Sequence, residues 1–478
     1  MKLKELLKGL NILSATAEME TEISGVSYDS RSTQPGQAFV AISGTAADGH
    51  KYVPMVAEKG AACAICEHPV EGIPYVVVEN TRRALAVMGA NWFDHPACEM
   101  TMVGITGTNG KTTSTYLIKS ILEQKAGAKV GLIGTIQNMI GNEVLHTERT
   151  TPESFELQAL LRRMADAGCT HVVMEVSSHA LYLDRVYGIR YAVGIFTNLT
   201  QDHLDFHETM ENYCDAKALL FRNCDIAIYN VDDEWSARML EGSTCRRFSY
   251  GIDSEADLKA KNVSLSAGGV AYDAEADTEW AQIKVGIPGR FTVYNTLDAV
   301  AACWNLGVSL WDCADALAKN HGVKGRMEVI PTPGKDYTIL NDYSHTPDSL
   351  ENVIRAVKGF AKGRTIALFG CGGDRDRTKR PIMGKIAVSM ADYAIITSDN
   401  PRTEEPQAIV DDILEGTRGY DNYTVVLDRI EAIHYAMDHA ERGDVIILAG
   451  KGHEDYQEIN HVKHPMDERV IVADYLKK

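Results

Sequence analysis

The segment Gly107-Thr108-Asn109-Gly110-Lys111-Thr112-Thr113 constrains the fold more than any other stretch of this chain. It follows an apolar run at 102–106 and opens a stretch of helical period at 112–124. There Tyr116, Leu117, Ser120, Ile121 and Gln124 fall near one face, and Gly127 supplies the stop. A glycine-rich turn between a strand and a helix lets backbone N–H groups approach phosphate oxygens, and the helix N-terminus favours the anion. Lys111 would then reach the β- and γ-phosphates, and the Thr112 hydroxyl would face Mg2+. The spacing departs from the generic phosphate-loop pattern, whose first glycine would fall at 105, where Ile105 stands.

Helix-type and strand-type segments alternate through all 478 residues, which argues an α/β fold. Restarts of the pattern, with a break at Pro331-Thr332-Pro333-Gly334, divide the chain into domains at 1–98, 99–332 and 333–478. The net charge is −18, which argues against general nucleic-acid binding and attachment to anionic membranes. A phosphate-rich ligand must therefore be held by a local patch of amides, Lys and Arg. No stretch approaches the ~20 apolar residues of a membrane span, and the start reads as an amphipathic helix rather than a signal peptide. Cys63-Ala64-Ile65-Cys66 has redox-motif spacing but no second pair, so it reads as two small residues in an apolar strand of a cytoplasmic protein.

Several strand ends carry chemistry. Glu175 closes an apolar run, where a carboxylate beside a phosphate loop can hold Mg2+. Thr197-Asn198-Leu199-Thr200-Gln201-Asp202-His203-Leu204-Asp205-Phe206-His207 follows another run and gathers two Asp and two His. Lys217, on a helical segment, reads by itself as a surface lysine. In the last third, apolar runs at 364–369, 393–397 and 444–448 are each followed by a polar loop: Gly370 to Arg375, Ser398 to Arg402, and Ala449 to Glu454. In an open parallel sheet such loops form one binding edge. Arg402, in Asp399-Asn400-Pro401-Arg402, can grip a carboxylate through two parallel hydrogen bonds.

The string Gly107-Thr108-Asn109-Gly110-Lys111-Thr112 resembles the ATP loop of the Mur ligases, and the resemblance extends over essentially the whole chain. It implies three α/β domains: a small UDP-binding domain, a central phosphate-loop ATPase-like domain with a mainly parallel sheet, and a C-terminal Rossmann-like domain. It also implies ATP and Mg2+ as cofactors, with UDP-MurNAc-L-Ala-D-Glu and meso-diaminopimelate as substrates of a monomeric enzyme. By this resemblance Lys111, Lys217 and His203 are catalytic. Gly107, Thr108, Asn109, Gly110, Lys111, Thr112, Thr113, Asn295, Arg326 and Asp342 bind ATP. Thr112, Glu175, His203 and Lys217 would surround the metal, Lys217 as a CO2-derived carbamate. Ser30, Thr150, Thr151, Ser177 and Arg185 would contact the UDP precursor, although Leu183 stands where some members carry Gln. Arg375, Asp399, Asn400, Arg402, Gly450 and Glu454 would hold diaminopimelate, with Arg402 reading the distal carboxylate that lysine lacks.

Overall fold

The computed structural model describes residues 1–44, 47–147, 149–277, 279–320 and 322–477. By density of contacts the chain divides into two units: Met1–Ala256 with Ala301–Leu306, and Asp257–Val300 with Gly307–Lys478.

The first unit begins with a five-stranded sheet in the order Ile12–Ala15, Tyr75–Val78, Cys63–Cys66, Ala38–Val40, Val26–Ser27. Its strands are parallel except the first. Leu3, Leu6, Val40, Ile65, Val76 and Leu85 form its core. The helix Thr81–Trp92 starts where the Asn80 side chain accepts the Arg83 N–H, satisfying one of the donors a helix start leaves unpaired. Cys63 and Cys66 both lie in a wholly buried strand, and burial pushes their thiols up to about 12 and about 11. A thiol held protonated in an apolar strand is inert packing, as the lone pair of cysteines suggested.

The strand Thr101–Thr106 occupies the middle of the unit's larger sheet. It is flanked in parallel by His171–Glu175 and Tyr191–Phe196. Val130–Ile133 extends the sheet in parallel on one side, Cys224–Asn230 and Arg246–Gly251 on the other. Register pairs Glu175 with Ile105 and Phe196 with Thr106, so the polar segments that follow these three strands leave from the same edge. Both faces of such a sheet are covered, which explains the unbroken apolar runs in the sequence.

The second unit contains an antiparallel meander, Leu258–Ser266, Gly269–Ala276 and Glu279–Val285, whose strands the sequence reading did not single out. Its alternating buried and exposed positions are the period-2 pattern of a half-buried sheet. A six-stranded sheet follows in the order Glu328–Ile330, Thr338–Asp342, Val445–Ala449, Thr365–Phe369, Tyr393–Ile396, Tyr423–Val425, parallel apart from the first strand. A separate hairpin joins Tyr456–Ile459 to Val462–Pro465.

Two fully buried arginines fix the loops at the carboxyl edge of this sheet. Arg380 bonds both oxygens of Glu404, at 2.7 and 2.9 Å, and Asp412 at 2.8 Å, and reaches the Gly372 carbonyl at 3.3 Å. The Arg380 guanidinium holds the Glu404 carboxyl down to about 2. Arg429 donates to Glu468 at 2.7 Å and to the Ala449 carbonyl at 2.9 Å. Each charge is paired with carboxylates and carbonyls, the condition under which buried ions are tolerated, and Arg380 Nε alone of its nitrogens has no hydrogen bond among the described residues. No described helix is long and apolar enough to cross a membrane.

Candidate active site

The phosphate loop is held from two sides. Gly107 has φ +146°, and a Cβ there would lie 1.9 Å from Thr197 Oγ1, so both conformation and space require glycine. The segment after Tyr191–Phe196 clamps the loop. The Asn198 carbonyl accepts the Thr108 N–H at 2.8 Å, and Asn198 Oδ1 accepts the Asn109 N–H at 2.9 Å. Thr197 Oγ1 donates to the Asn109 carbonyl at 2.7 Å, and Thr108 Oγ1 to the Thr200 carbonyl at 3.1 Å. Lys111 Nζ folds over the loop onto the Gly107 and Thr108 carbonyls at 2.9 and 2.8 Å. The helix Lys111–Lys125 begins at Gly110, itself left-handed at φ +89°, and buries Thr112 and Thr113 in its first turn.

Glu175 is 1% exposed, with both carboxylate oxygens partnered. Oε1 accepts from Thr112 Oγ1 at 3.0 Å and from the Thr135 N–H at 2.9 Å; Oε2 accepts from Thr135 Oγ1 at 2.9 Å. A buried carboxylate beside a threonine hydroxyl at the first turn of a phosphate-loop helix is an oxygen donor set that fits Mg2+. Thr135 was not singled out in the sequence. Its only signal there is a position just after the apolar run Val130–Ile133, in the same sense as Glu175.

Lys217 corrects the reading of its segment as exposed: it is 1% exposed on the helix Met210–Ala218. Its Nζ donates to the Gly107 carbonyl at 2.8 Å and lies 4.5 Å from the centre of the Tyr213 ring. Burial first, and the nearby Lys111 charge second, depress its pKa well below that of an ordinary lysine. His203 is about half exposed, left-handed at φ +53°, with Nε2 3.4 Å from Asp202. Its ring lies edge-on to His179 at 4.9 Å. Among the described residues, it does not gather with Glu175 into a three-ligand group. Asp48, His50 and His68 do form one. There, however, His50 Nδ1 faces Asp48 at 2.7 Å and Nε2 accepts the Glu67 N–H at 2.9 Å, which leaves that ring no lone pair for a metal.

The residues expected to contact the precursor adjoin Glu175. Thr151 Oγ1 donates to the Glu175 carbonyl at 2.9 Å and accepts the Ser177 N–H at 3.2 Å. Thr150 Oγ1 lies 3.0 Å from Thr135 Oγ1. Arg185 reaches the Thr151 carbonyl at 3.3 Å and pairs with Glu153 at 3.2 Å, and Arg82 and Arg149 each lie 3.9 Å from the same carboxylate. A cavity of about 360 Å3 beside them is lined by Tyr28, Asn138, His146, Arg149, Glu153 and Glu156. Ser30 is buried in the first sheet's loops, and its carbonyl accepts from Lys59 at 2.8 Å.

The second unit assembles the other candidates. Asn295 is buried in the helix Arg290–Asn305. Arg326 lies over the Tyr343 ring at 5.3 Å. The Asp342 carboxylate accepts the Met327 N–H at 2.8 Å and the Ser344 hydroxyl, and the Asp342 carbonyl accepts the Gly450 N–H at 3.0 Å. Asn400 Nδ2 donates to Glu454 Oε2 at 2.9 Å, and the fully buried Lys451 donates to both Asn400 Oδ1 and Glu454 Oε2 at 2.8 Å. Lys451 lies in the strand-end loop Ala449 to Glu454, where nothing local in the sequence distinguishes a buried lysine from a solvated one. Asp399 Oδ1 accepts the Asn400 N–H at 2.6 Å; its buried Oδ2 has no hydrogen-bond partner among the described residues. Arg402 Nη1 donates to the Gly373 carbonyl at 2.7 Å. A Cβ on Gly373 would come within 1.9 Å of the Pro401 carbonyl, so these two loops meet only through a glycine. Arg375 is exposed, and its guanidinium donates to the carbonyl of its neighbour Asp374 at 3.2 Å. The strand-end loops thus do share an edge, apart from Arg375, which stands out from it.

The family models for "Mur ligase middle domain", "Mur ligase, glutamate ligase domain" and "Mur ligase family, catalytic domain" match residues 105–303, 325–452 and 22–92. UDP-N-acetylmuramoyl-L-alanyl-D-glutamate--2,6-diaminopimelate ligase 1 of Clostridium acetobutylicum is 47% identical over 482 residues, covering 100% of each chain. The ligase of the same description from Clostridium botulinum is 46% identical over 485 residues, again covering 100% of each. A solved structure of a UDP-N-acetylmuramoyl-L-alanyl-D-glutamate--2,6-diaminopimelate ligase aligns with a TM-score of 0.75 at 30% identity, covering 100% of this chain and 99% of that one.

Gly107→Ala is expected to abolish nucleotide binding, because the methyl group displaces Thr197 from the loop. Calorimetric titration with Mg-ADP should register at least a ~100-fold loss of affinity in a variant whose circular dichroism is unchanged. Affinity within a factor of about three of the parent contradicts the role assigned to the loop.

Proposed function

The chain belongs to the Mur ligase family, and we propose that it is the ATP-dependent ligase that joins meso-2,6-diaminopimelate to the D-Glu of UDP-MurNAc-L-Ala-D-Glu, in peptidoglycan precursor synthesis. The observation that carries the choice of amino acid is Arg402, held at the strand tips of the second unit next to Asn400, whose amide pairs with Glu454. meso-Diaminopimelate has a carboxylate beside its distal amine, whereas L-lysine has the amine alone. A guanidinium is the side chain suited to that extra group. Asp399 Oδ2, without a hydrogen bond among the described residues and 4.0 Å from Arg429 Nη1, is an acceptor suited to an ammonium group of the same ligand.

In this reading domains 1–98, 99–332 and 333–478 take the uridine diphosphate, the ATP and the diaminopimelate. Ser30, Thr150, Thr151, Ser177 and Arg185 hold the precursor. Asn295, Arg326 and Asp342 contact adenine, phosphates and ribose. The protein works in the cytoplasm as a monomer.

Condensing a carboxylate with an amine in water is uphill, so the carboxylate is first activated. An oxygen of the D-Glu γ-carboxylate attacks the γ-phosphorus of ATP; the bond to the β-γ bridging oxygen breaks, and ADP leaves. The diaminopimelate amine then adds to the acyl carbon, and the tetrahedral intermediate expels phosphate as the amine gives up its proton. The first step brings two anions together. Lys111 and the loop's N–H groups offset that repulsion and the charge spreading onto the equatorial oxygens. Mg2+, when bound, would supply further charge neutralisation, and Thr112 and Glu175 are the side chains that would hold it. His203 would join them only by turning from Asp202. Lys217 is suited to carbamylation because its burial favours the neutral amine: the nitrogen lone pair adds to CO2, and a proton is lost to solvent. The product is an anion where a cation would repel the metal.

Phosphate release in a coupled assay, with UDP-MurNAc-L-Ala-D-Glu, Mg-ATP and a panel of diamino acids, tests the proposal. Diaminopimelate should be the fastest substrate. Arg402→Ala should lose about 100-fold in kcat/KM for it, or about 3 kcal/mol, with the KM for ATP nearly unchanged. A preference for lysine contradicts the selection. For Lys217, activity in CO2-stripped buffer should fall and return with bicarbonate. Its pKa is depressed, so more of the amine is neutral at a given pH than in an ordinary lysine, and that neutral fraction declines as pH falls; recovery should weaken in that direction. Equal activity with and without CO2 at every pH contradicts the carbamate.

A further inference from the structure

We infer that Glu458, on the hairpin Tyr456–Ile459/Val462–Pro465, is a positioning residue that sets the selection of the diamino acid by holding Arg402; the inference rests on the reading of Arg402 given above. Arg402 sits at φ +51°, a left-handed conformation that is costly for a side chain with a Cβ and persists only where the surroundings enforce it. The hairpin provides that enforcement. The Arg402 N–H donates to the Glu458 carbonyl at 3.0 Å, and the Arg402 carbonyl accepts the Asn460 N–H at 2.7 Å, so the residue is bonded into the hairpin edge on both sides.

Glu458 acts on the loop at three points. Its carbonyl takes the Arg402 N–H. Its own N–H donates to Asn400 Oδ1 at 2.9 Å, which with Lys451 fixes the Asn400 amide so that Nδ2 faces Glu454. Its carboxylate lies 3.2 Å from Arg402 Nε, both side chains being about one-fifth exposed. A guanidinium has five N–H bonds. Nε pairs by charge with the Glu458 carboxylate at 3.2 Å and one Nη1–H is taken by Gly373, which leaves three N–H groups on the terminal nitrogens for a ligand. With the Nε edge covered, a ligand carboxylate must approach the terminal nitrogens, and the plane of the fork is fixed by two anchors rather than by the ligand. Fixing the fork in advance removes the rotamer entropy that a free arginine would lose on binding. Lysine, with no distal carboxylate, gains nothing from the arrangement.

The test compares Glu458→Ala, Glu458→Gln and Arg402→Ala in steady-state kinetics with diaminopimelate and with lysine. Glu458→Ala should raise the KM for diaminopimelate about tenfold and lower the diaminopimelate-to-lysine preference by a similar factor, leaving kcat and the KM for ATP within about twofold. Glu458→Gln keeps the side chain's size and a carbonyl oxygen beside Nε and should restore the KM to within about threefold of the parent. If Glu458→Ala leaves the KM for diaminopimelate unchanged or lowers it while Arg402→Ala raises it, Glu458 has no positioning role and the reading of Arg402 stands. If Glu458→Ala lowers kcat alike with every substrate, its role is structural and the inference fails. If Arg402→Ala itself leaves diaminopimelate kinetics untouched, the reading of Arg402 fails and the inference falls with it.

Discussion

The carbonyl groups of the phosphate loop all turn toward protein donors, and the rest of the site depends on that. The Gly107 oxygen accepts from Lys111 and Lys217, the Thr108 oxygen from Lys111, and the Asn109 oxygen from Thr197 and Asn198. Peptide dipoles oriented in this way present no carbonyl to an approaching anion. In a chain of net charge −18 this is how a polyphosphate can be attracted at all, since the molecule's overall field opposes it. The same bonds explain why Lys217 is buried: its amino group is satisfied by a loop carbonyl and a tyrosine face instead of water.

A second consequence follows from the sheet. Because Thr101–Thr106, His171–Glu175 and Tyr191–Phe196 run in parallel and in register, the loop, the Glu175 carboxylate and the clamping segment Thr197–Thr200 all leave one edge. Thr135, Thr150 and Thr151 then join the metal-type carboxylate to the segment expected to hold the precursor, through hydrogen bonds of 2.9 to 3.0 Å. The second unit repeats the principle: loops from three parallel strands meet around Asn400, with the buried Arg380 and Arg429 holding those loops from behind.

What the sequence made legible were features written in contiguous residues. The phosphate loop, the Asp-Asn-Pro-Arg loop and the apolar runs ending in polar tips are local patterns, and local patterns survive reading one residue at a time. The burial of Lys217 and Lys451 was not legible, because a lysine is solvated by default and only a distant carbonyl, amide or ring changes that. Thr135 and Glu458 were missed for a related reason. Each acts on a residue 40 or more positions away, and neither side chain is unusual for its place in the sequence. His203 stands in a strand-end segment that is legible in the sequence, but its conformation at φ +53° and its turn toward Asp202 are set by tertiary packing. The Leu258–Val285 meander was overlooked because its half-buried alternation is weaker than the continuous apolar runs beside it.

The proposed chemistry turns on whether phosphate is transferred to the acid before the amide forms. The direct measurement uses precursor labelled with 18O in the D-Glu γ-carboxylate, turned over with Mg-ATP and diaminopimelate, with mass analysis of the inorganic phosphate released. Transfer through an acyl phosphate predicts one 18O atom in each phosphate and its loss from the amide product. Unlabelled phosphate, formed while the peptide keeps both labelled oxygens until water or amine removes one, would contradict it.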